Sequence, residues 1–351
     1  MKKKKILIVV PSFKILGGVA NHYQGLAPYW KNQVSYFFYG KRVGIPAIIT
    51  FIPDLIAFVF SMIFRKYDLV IINPSLRSYQ LFRDGLYLKI ADFFGKKVVT
   101  FIHGWDENKA IEIRNNPNSF CRTFGKSKYI YVLYSGFKKT LNELPINVPV
   151  LLTTTKVKNS LLEKFEIGSR DGSINNLLFL ARADKFKGLD ITIKTFEILK
   201  INNPQLKLKV CGTGNALQEI IDYVEENNIP DIEFMGHVTG REIAVQFLSS
   251  DLYILPTHGE GMATSVLEAM AFGLPIISRP VGGVNDFFIN QKMGYLIKSF
   301  EPKDYAEKIQ YLIDNPSIVR DISRCNHEFA KEHFLASEVA KKIENDIERY
   351  L

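Results

Sequence analysis

The stretch HGEGMATSVLEAMAFGLPIISRPVGG, residues 258–283, decides the reading of this chain. It follows an apolar run that ends at Pro256 and places Glu260 and Gly261 in a turn. MATSVLEAMAFG then reads as a helix that stops at Gly273, with the next strand beginning at Pro275. In that frame Glu260 precedes the first turn and Glu268 lies about two turns inside. The amides of Met262, Ala263, Thr264 and Ser265 are the unpaired donors of the helix start, and with the helix dipole they form an anion site. Carboxylates accept hydrogen bonds only, so two of them beside that site suit the hydroxyls of a sugar and of a ribose. The segment therefore describes a place for a sugar nucleotide.

Outward from it, short apolar runs alternate with amphipathic segments along the chain, the pattern of βαβ units and parallel sheets. In the first half the strand-like runs are 5–12, 34–40, 68–75, 97–104, 128–135 and 148–153. In the second half they are 175–182, 206–212, 231–237, 251–258, 274–280 and 294–299. GSRDGSINN (168–176) has a loop composition without an apolar period and reads as the interdomain linker. Two Rossmann-like α/β domains are expected, 1–167 and 168–335, with ligand in the cleft they face, because such sheets bind outside the carboxyl ends of their strands.

Several separated motifs now fall in one order: the carboxylate pair Glu260 and Glu268 within EG, LEAMA and G-x-P-I-I, and FLARADKFKGLD (179–190) with Arg182 and Lys187. With them stand CGTGN with Gly212 and Gly214, the Gly236 turn of FMGHV, and the glycine pair of PVGGVNDFF. In this the second half, about 175–300, resembles the retaining GT-B glycosyltransferases of family 4, the glycosyl transferases group 1. The first half matches more weakly but in register, with Gly17-Gly18 after the first strand and His103-Gly104 after the fourth.

The resemblance implies a GT-B fold of two doubly wound domains, with the final helix, about 336–351, crossing back to pack on the first. It implies transfer of a sugar, with retention, from a nucleotide diphosphate sugar, a UDP-sugar ahead of a GDP-sugar, to a glycan or lipid-linked glycan acceptor, as in bacterial surface polysaccharide or glycolipid synthesis. Arg182 and Lys187 would meet the diphosphate, Glu260 the sugar hydroxyls, Glu268 the ribose and His103 the sugar. Gly17 and Gly18 would bring amides to phosphate or sugar. Gly212, Gly214, His237, Val238 and Gly261 would complete the donor site with Met262, Ala263, Thr264 and Ser265. Two departures stand out: Ala263 where proline is usual, and Asp286 where the glycine pair is usually followed by Pro-Glu. No Asp-x-Asp occurs, so no metal and no cofactor are expected beyond the donor itself. A sugar-nucleotide epimerase of the same architecture and a non-catalytic sugar-nucleotide-binding relative are the rival readings. The Gly212-Thr213-Gly214 turn is no dinucleotide fingerprint, since Leu217 stands where its third glycine belongs.

The net charge of +9 is unevenly held: residues 1–165 carry 25 Lys/Arg against 9 Asp/Glu, and the remainder 20 against 27. The basic half is the acceptor half of the expected fold, which suggests peripheral contact with an anionic membrane at its cytoplasmic face. Nucleic acid is not expected as a partner, for the aromatics show no RNP pattern. Oligomeric state is not legible. Cys121, Cys211 and Cys325 are far apart and form neither a disulfide framework nor a zinc spacing, as befits a cytoplasmic protein. The opening Lys2–Lys5 run reads as a solubilising tail ahead of a buried strand. From Ile45 to Phe64, 15 of 20 residues are aliphatic, Phe, Met or Ala. Asp54, Pro46 and Pro53 favour a core helix from about Pro53 to Lys66 over a membrane span, and a helix lying on a bilayer is the third reading.

Overall fold

The computed structural model describes residues 3–15, 17–42 and 44–351, so Lys2 of the basic tail lies outside the described residues. The chain forms two compact units, residues 1–156 with 336–351, and residues 157–335.

In the first unit six parallel strands run β1 (Lys5–Pro11), β2 (Gln33–Tyr39), β3 (Leu69–Ile72), β4 (Lys97–Phe101), β5 (Ile130–Val132) and β6 (Val150–Leu152). Their spatial order is β2-β1-β3-β4-β5-β6. In the second unit β7 (Asn176–Leu180), β8 (Lys207–Cys211), β9 (Ile232–Gly236), β10 (Leu252–Leu255), β11 (Ile276–Ser278) and β12 (Gly294–Leu296) form a second parallel sheet. Its order is β12-β11-β10-β7-β8-β9, with a switch of direction between β7 and β10. Central strands such as LVII in β3 and LYIL in β10 are buried at every residue, as a sheet covered on both faces demands. Both units are Rossmann-like, as expected.

All twelve expected strands are present. Most of the apolar runs continue past the last paired residue, and the overhangs Asn73-Pro74, His103-Gly104, Arg182 and Pro256–Glu260 bear the polar and charged groups described below.

Two expectations fail. The stretch 168–176 lies inside the second unit, and the chain passes between units at 156/157, where the Val157 amide donates to Phe334 O at 2.7 Å. The polar stretch is held down by Arg170, whose guanidinium donates to Phe272 O at 3.1 Å, to Phe247 O at 2.8 Å and to Ser250 O. The helix of the apolar stretch begins at Ala47, ends at Phe64, and is no core helix: 22% of it is buried.

The last helix, Ala336–Tyr350, belongs to the first unit and buries Val339, Ala340, Ile343 and Ile347 on one face. Glu344 on that face accepts the Lys31 and Asn32 amides, each at 2.8 Å, and the Tyr131 hydroxyl donates to Asp346 at 2.8 Å.

Candidate functional site

In the second unit the loops that leave β7 and β10 carry the charged residues, and these strands flank the switch point, where parallel sheets bind ligands. After β7 the chain makes a single tight turn, Lys185–Lys187, capped by Asp184. One Asp184 oxygen accepts the Lys187 amide at 3.0 Å, and the other accepts Nε of Arg182 at 2.6 Å. One carboxylate thus orients both cations. The Arg182 side chain remains 67% exposed.

Gly188 closes this turn with φ of 75°. A Cβ there would stand 2.3 Å from Pro256 O, so glycine lets the β7 loop lie directly on the end of β10. The consequence is the ion pair between Lys187 Nζ and Glu260 Oε1, 2.5 Å apart and largely withdrawn from solvent. The Glu260 turn is braced from the far side: the Gly283 amide donates to Gly261 O at 2.8 Å, and a Cβ on Gly282 would meet Glu260 O at 2.1 Å.

The helix expected after this turn runs Thr264–Ala271 and has no side-chain cap. Ala263 is buried, Met262, Thr264 and Ser265 are half-buried, and the Val266 amide donates back to Ala263 O at 3.0 Å. Glu268 is buried on this helix. Tyr253, in the middle of β10, ties the parts together: its hydroxyl donates to Leu180 O at 2.9 Å and lies 2.7 Å from Ser265 Oγ. Burial pushes its pKa upward, with the Glu260 and Glu268 carboxylates adding to the effect.

Gly212 and Gly214 have a local task. A Cβ on Gly212 would stand 1.8 Å from Ala181 O, and one on Gly214 2.2 Å from Ala183 O, so both let the loop after β8 press against the segment that bears Arg182. His237 is exposed beyond β9 and Val238 packs on the core edge.

In the first unit a polar cluster sits at the ends of β1, β3 and β4. Asn73, just past β3, donates from Nδ2 to Val9 O at 3.0 Å, which fixes its amide orientation. Its Oδ1 accepts the Tyr23 hydroxyl at 2.8 Å and faces His103 Nε2 at 3.1 Å. An acceptor at that distance means that Nε2 carries the proton and Nδ1 the lone pair. The His103 ring stacks on Phe101 with centroids 3.7 Å apart, and burial lowers its pKa to about 3. His22 lies 5.3 Å from it, fully buried, with neither ring nitrogen hydrogen-bonded among the described residues, and burial followed by the charges of His103 and Lys156 pushes its pKa down. Gly17 and Gly18 open the helix Gly18–Leu26, and a Cβ on either would meet nothing within 4 Å among the described residues.

The structure thus brings Arg182, Lys187, Glu260, Gly261 and the helix bearing Glu268 together in the second unit. Within the first, Asn73 joins His103 to Tyr23, with His22 beside them. Sequence reading missed Asp184, Tyr253, Asn73, Tyr23 and His22. Asp184 had a signal, its place between the two cations. Tyr253 and Tyr23 are single aromatics in apolar company and had none.

Residues 162–329 match the family model of glycosyl transferases group 1. An uncharacterized glycosyltransferase of Methanocaldococcus jannaschii is 29% identical over 167 residues, which are 48% of this chain and 46% of that protein. The capsular polysaccharide biosynthesis glycosyltransferase CapM of Staphylococcus aureus is 26% identical over 197 residues, 55% of this chain and 50% of CapM. The chain spans about half the length of the curated relatives it first matches. The crystal structure of Anabaena HepE in complex with UDP and glucose superimposes with a TM-score of 0.71 at 16% identity, covering 98% of this chain and 99% of that one. The likeness in fold is therefore to GT-B proteins, and residues 162–329 of this chain are similar to the glycosyl transferases group 1.

Proposed function

We propose that the protein is a retaining glycosyltransferase of family 4 that uses a nucleotide diphosphate sugar, a UDP-sugar by preference. The observation that carries this reading is the Lys187–Glu260 pair, set by Asp184 at the switch point of the second sheet beside an uncapped helix start. Arg182, Lys187 and the amides of Met262 to Ser265 would hold the diphosphate and take up the charge that develops on it as the glycosyl bond breaks. They do so without a metal, and no cofactor takes part. Glu268 would hold the ribose and Glu260 the hydroxyls of the sugar, while in the first unit His103 Nδ1 would accept a substrate hydroxyl. The acceptor oxygen attacks C1 from the face that the diphosphate leaves, and its proton passes to the departing phosphate oxygen. The UDP in HepE and the capsular role of CapM support a UDP-sugar donor and a glycan or lipid-linked glycan acceptor. We place the reaction in the cytoplasm, at the membrane where the acceptor is carried by a lipid.

A thermal-shift screen with UDP, GDP and ADP and their sugars tests the donor. A ligand at a hundred times its dissociation constant stabilises by about 2.7 kcal/mol. UDP-sugars are expected to raise the transition, and Glu268→Ala to abolish the rise. No shift with any nucleoside diphosphate at millimolar concentration would refute the donor site.

A further inference from the structure

The helix Ala47–Phe64, the crossover from β2 to β3, wears its apolar side outward. Its buried positions, Thr50, Asp54, Phe58 and Met62, form one narrow stripe at four-residue spacing. The two polar members are satisfied inward: Thr50 Oγ1 donates to Gly40 O at 2.9 Å, while Asp54 accepts the Gly40 amide at 2.8 Å and the Arg42 guanidinium at 2.5 Å. The opposite side presents Ile48, Ile49, Ile52, Ile56, Phe60 and Phe64, each between 52% and 82% exposed. The apolar surface continues through Phe51 onto Tyr79 and Phe82 of the helix Ser78–Phe93, at ring separations of 6.5 and 6.4 Å. Soluble surfaces rarely leave so continuous an apolar patch uncovered.

Charge identifies what covers it. The ends of the helix are marked by the exposed Lys41, Arg42, Arg65 and Lys66, and Asp54, the sole acidic residue from 40 to 67, is turned inward. A helix with cationic ends and, among the described residues, no exposed polar side chain between them matches the layering of a bilayer with anionic headgroups. A protein partner would be met by a rim of both charges and by polar groups to pair. Spanning is excluded by connectivity. β2 and β3 both pair in parallel with β1, so both ends of the helix are tied to one sheet, and its buried stripe could enter lipid only by breaking that sheet's cover.

We propose that this face docks on an anionic bilayer, with the helix lying along the boundary of headgroups and acyl chains. The proposal deepens the membrane part of the functional reading and rests on it only for the acceptor. None of its residues belongs to the donor site, so the two fail separately.

Flotation of the full chain tests it, with vesicles of phosphatidylcholine alone and vesicles containing about one third phosphatidylglycerol. Wild type is expected to float with the anionic vesicles, more weakly in high salt, and the double variant I52E/I56E to lose at least tenfold in bound fraction while keeping its melting temperature and its response to UDP. Arg65→Glu with Lys66→Glu should lower the preference for anionic lipid without changing the fold. Wild-type protein that remains unbound with both vesicles overturns the proposal whatever the variants do. So does a concentration-dependent dimer in solution that I52E/I56E dissociates and lipid does not, because a second copy would then be the cover.

Discussion

Lys187 Nζ and Glu260 Oε1 stand 2.5 Å apart, and neither side chain is more than 17% exposed. Their neutralisation keeps a cation and an anion together in a site of restricted solvation, and a diphosphate would have to draw Lys187 away from its partner. Lys187→Ala and Glu260→Ala are each expected to lower transfer by at least about 100-fold, the scale of losing a charge-stabilising group. The double variant should fall little further than either single one, as residues acting as a unit do. Each single variant should also lose about 1–3 kcal/mol in urea unfolding, because the surviving charge is left without its partner. Near wild-type turnover in either would remove the pair from the reaction.

Gly282 and Gly17 make a contrasting test. At Gly282, φ is 57° and a Cβ would stand 2.1 Å from Glu260 O. Gly282→Ala should therefore cost about 1–3 kcal/mol and displace the Glu260 turn. Gly17 has extended backbone, and among the described residues no atom lies within 4 Å of a Cβ placed there. Gly17→Ala should stay within about 0.5 kcal/mol of wild type, yet raise KM for the donor, since the added methyl occupies room a ligand would take. Paired unfolding and kinetic measurements separate the two, and a Gly17→Ala enzyme with unchanged kinetics would remove that turn from the site.

Burial of two neutral histidines gives the stability a pH dependence. His22 and His103 both have pKa values lowered in the folded state, His103 to about 3. In the unfolded chain both would titrate near 6.5, so only the unfolded state takes up their protons as pH falls below that value. Stability should be level above about pH 7 and decline below 6.5, by up to about 1.4 kcal/mol per unit for each histidine. His22→Leu removes one of these protons and should gain on wild type at pH 5 relative to its difference at pH 7.5. Denaturation curves at the two pH values check it, and an equal difference at both would show that His22 titrates normally.

Arg170 holds three backbone carbonyls, those of Phe247, Ser250 and Phe272. Arg170→Ala leaves them short of a donor and should destabilise by about 2–4 kcal/mol. The loss should appear in calorimetry as a lowered melting transition, and Arg170→Lys should recover only part of it, having no fork to reach all three.

Period and composition made the twelve strands legible because fully buried strands need unbroken apolar runs, and LVII or LYIL allow little else. The turns that bear Lys187 and Glu260 were legible because turns and helix starts constrain residue type locally, as at Lys185–Gly188 and Glu260–Gly261, although Asp184, which caps the first of them, was not. Direction was not. In 47–64 almost every residue is apolar, so no period marks the side that meets the sheet, and it is the polar Thr50 and Asp54 that point inward. Arg170 shows the same limit: a polar loop composition says nothing of a guanidinium that turns back into the unit. His22 and Asn73 became partners of His103 only through the pairing of β1, β3 and β4, which no local pattern encodes.

The helix Ala336–Tyr350 gives the chain an unusual order of assembly. Residues 3–156 are translated before 157–335, yet they lack the Glu344 cap on Lys31 and Asn32 and the buried Ile343 and Ile347 until 336–350 have followed. The second unit, enclosed within 157–335, can meanwhile complete its core. The first unit thus closes only after the second has been translated, and a nick near 335 would strip the first unit of its seal while sparing the second.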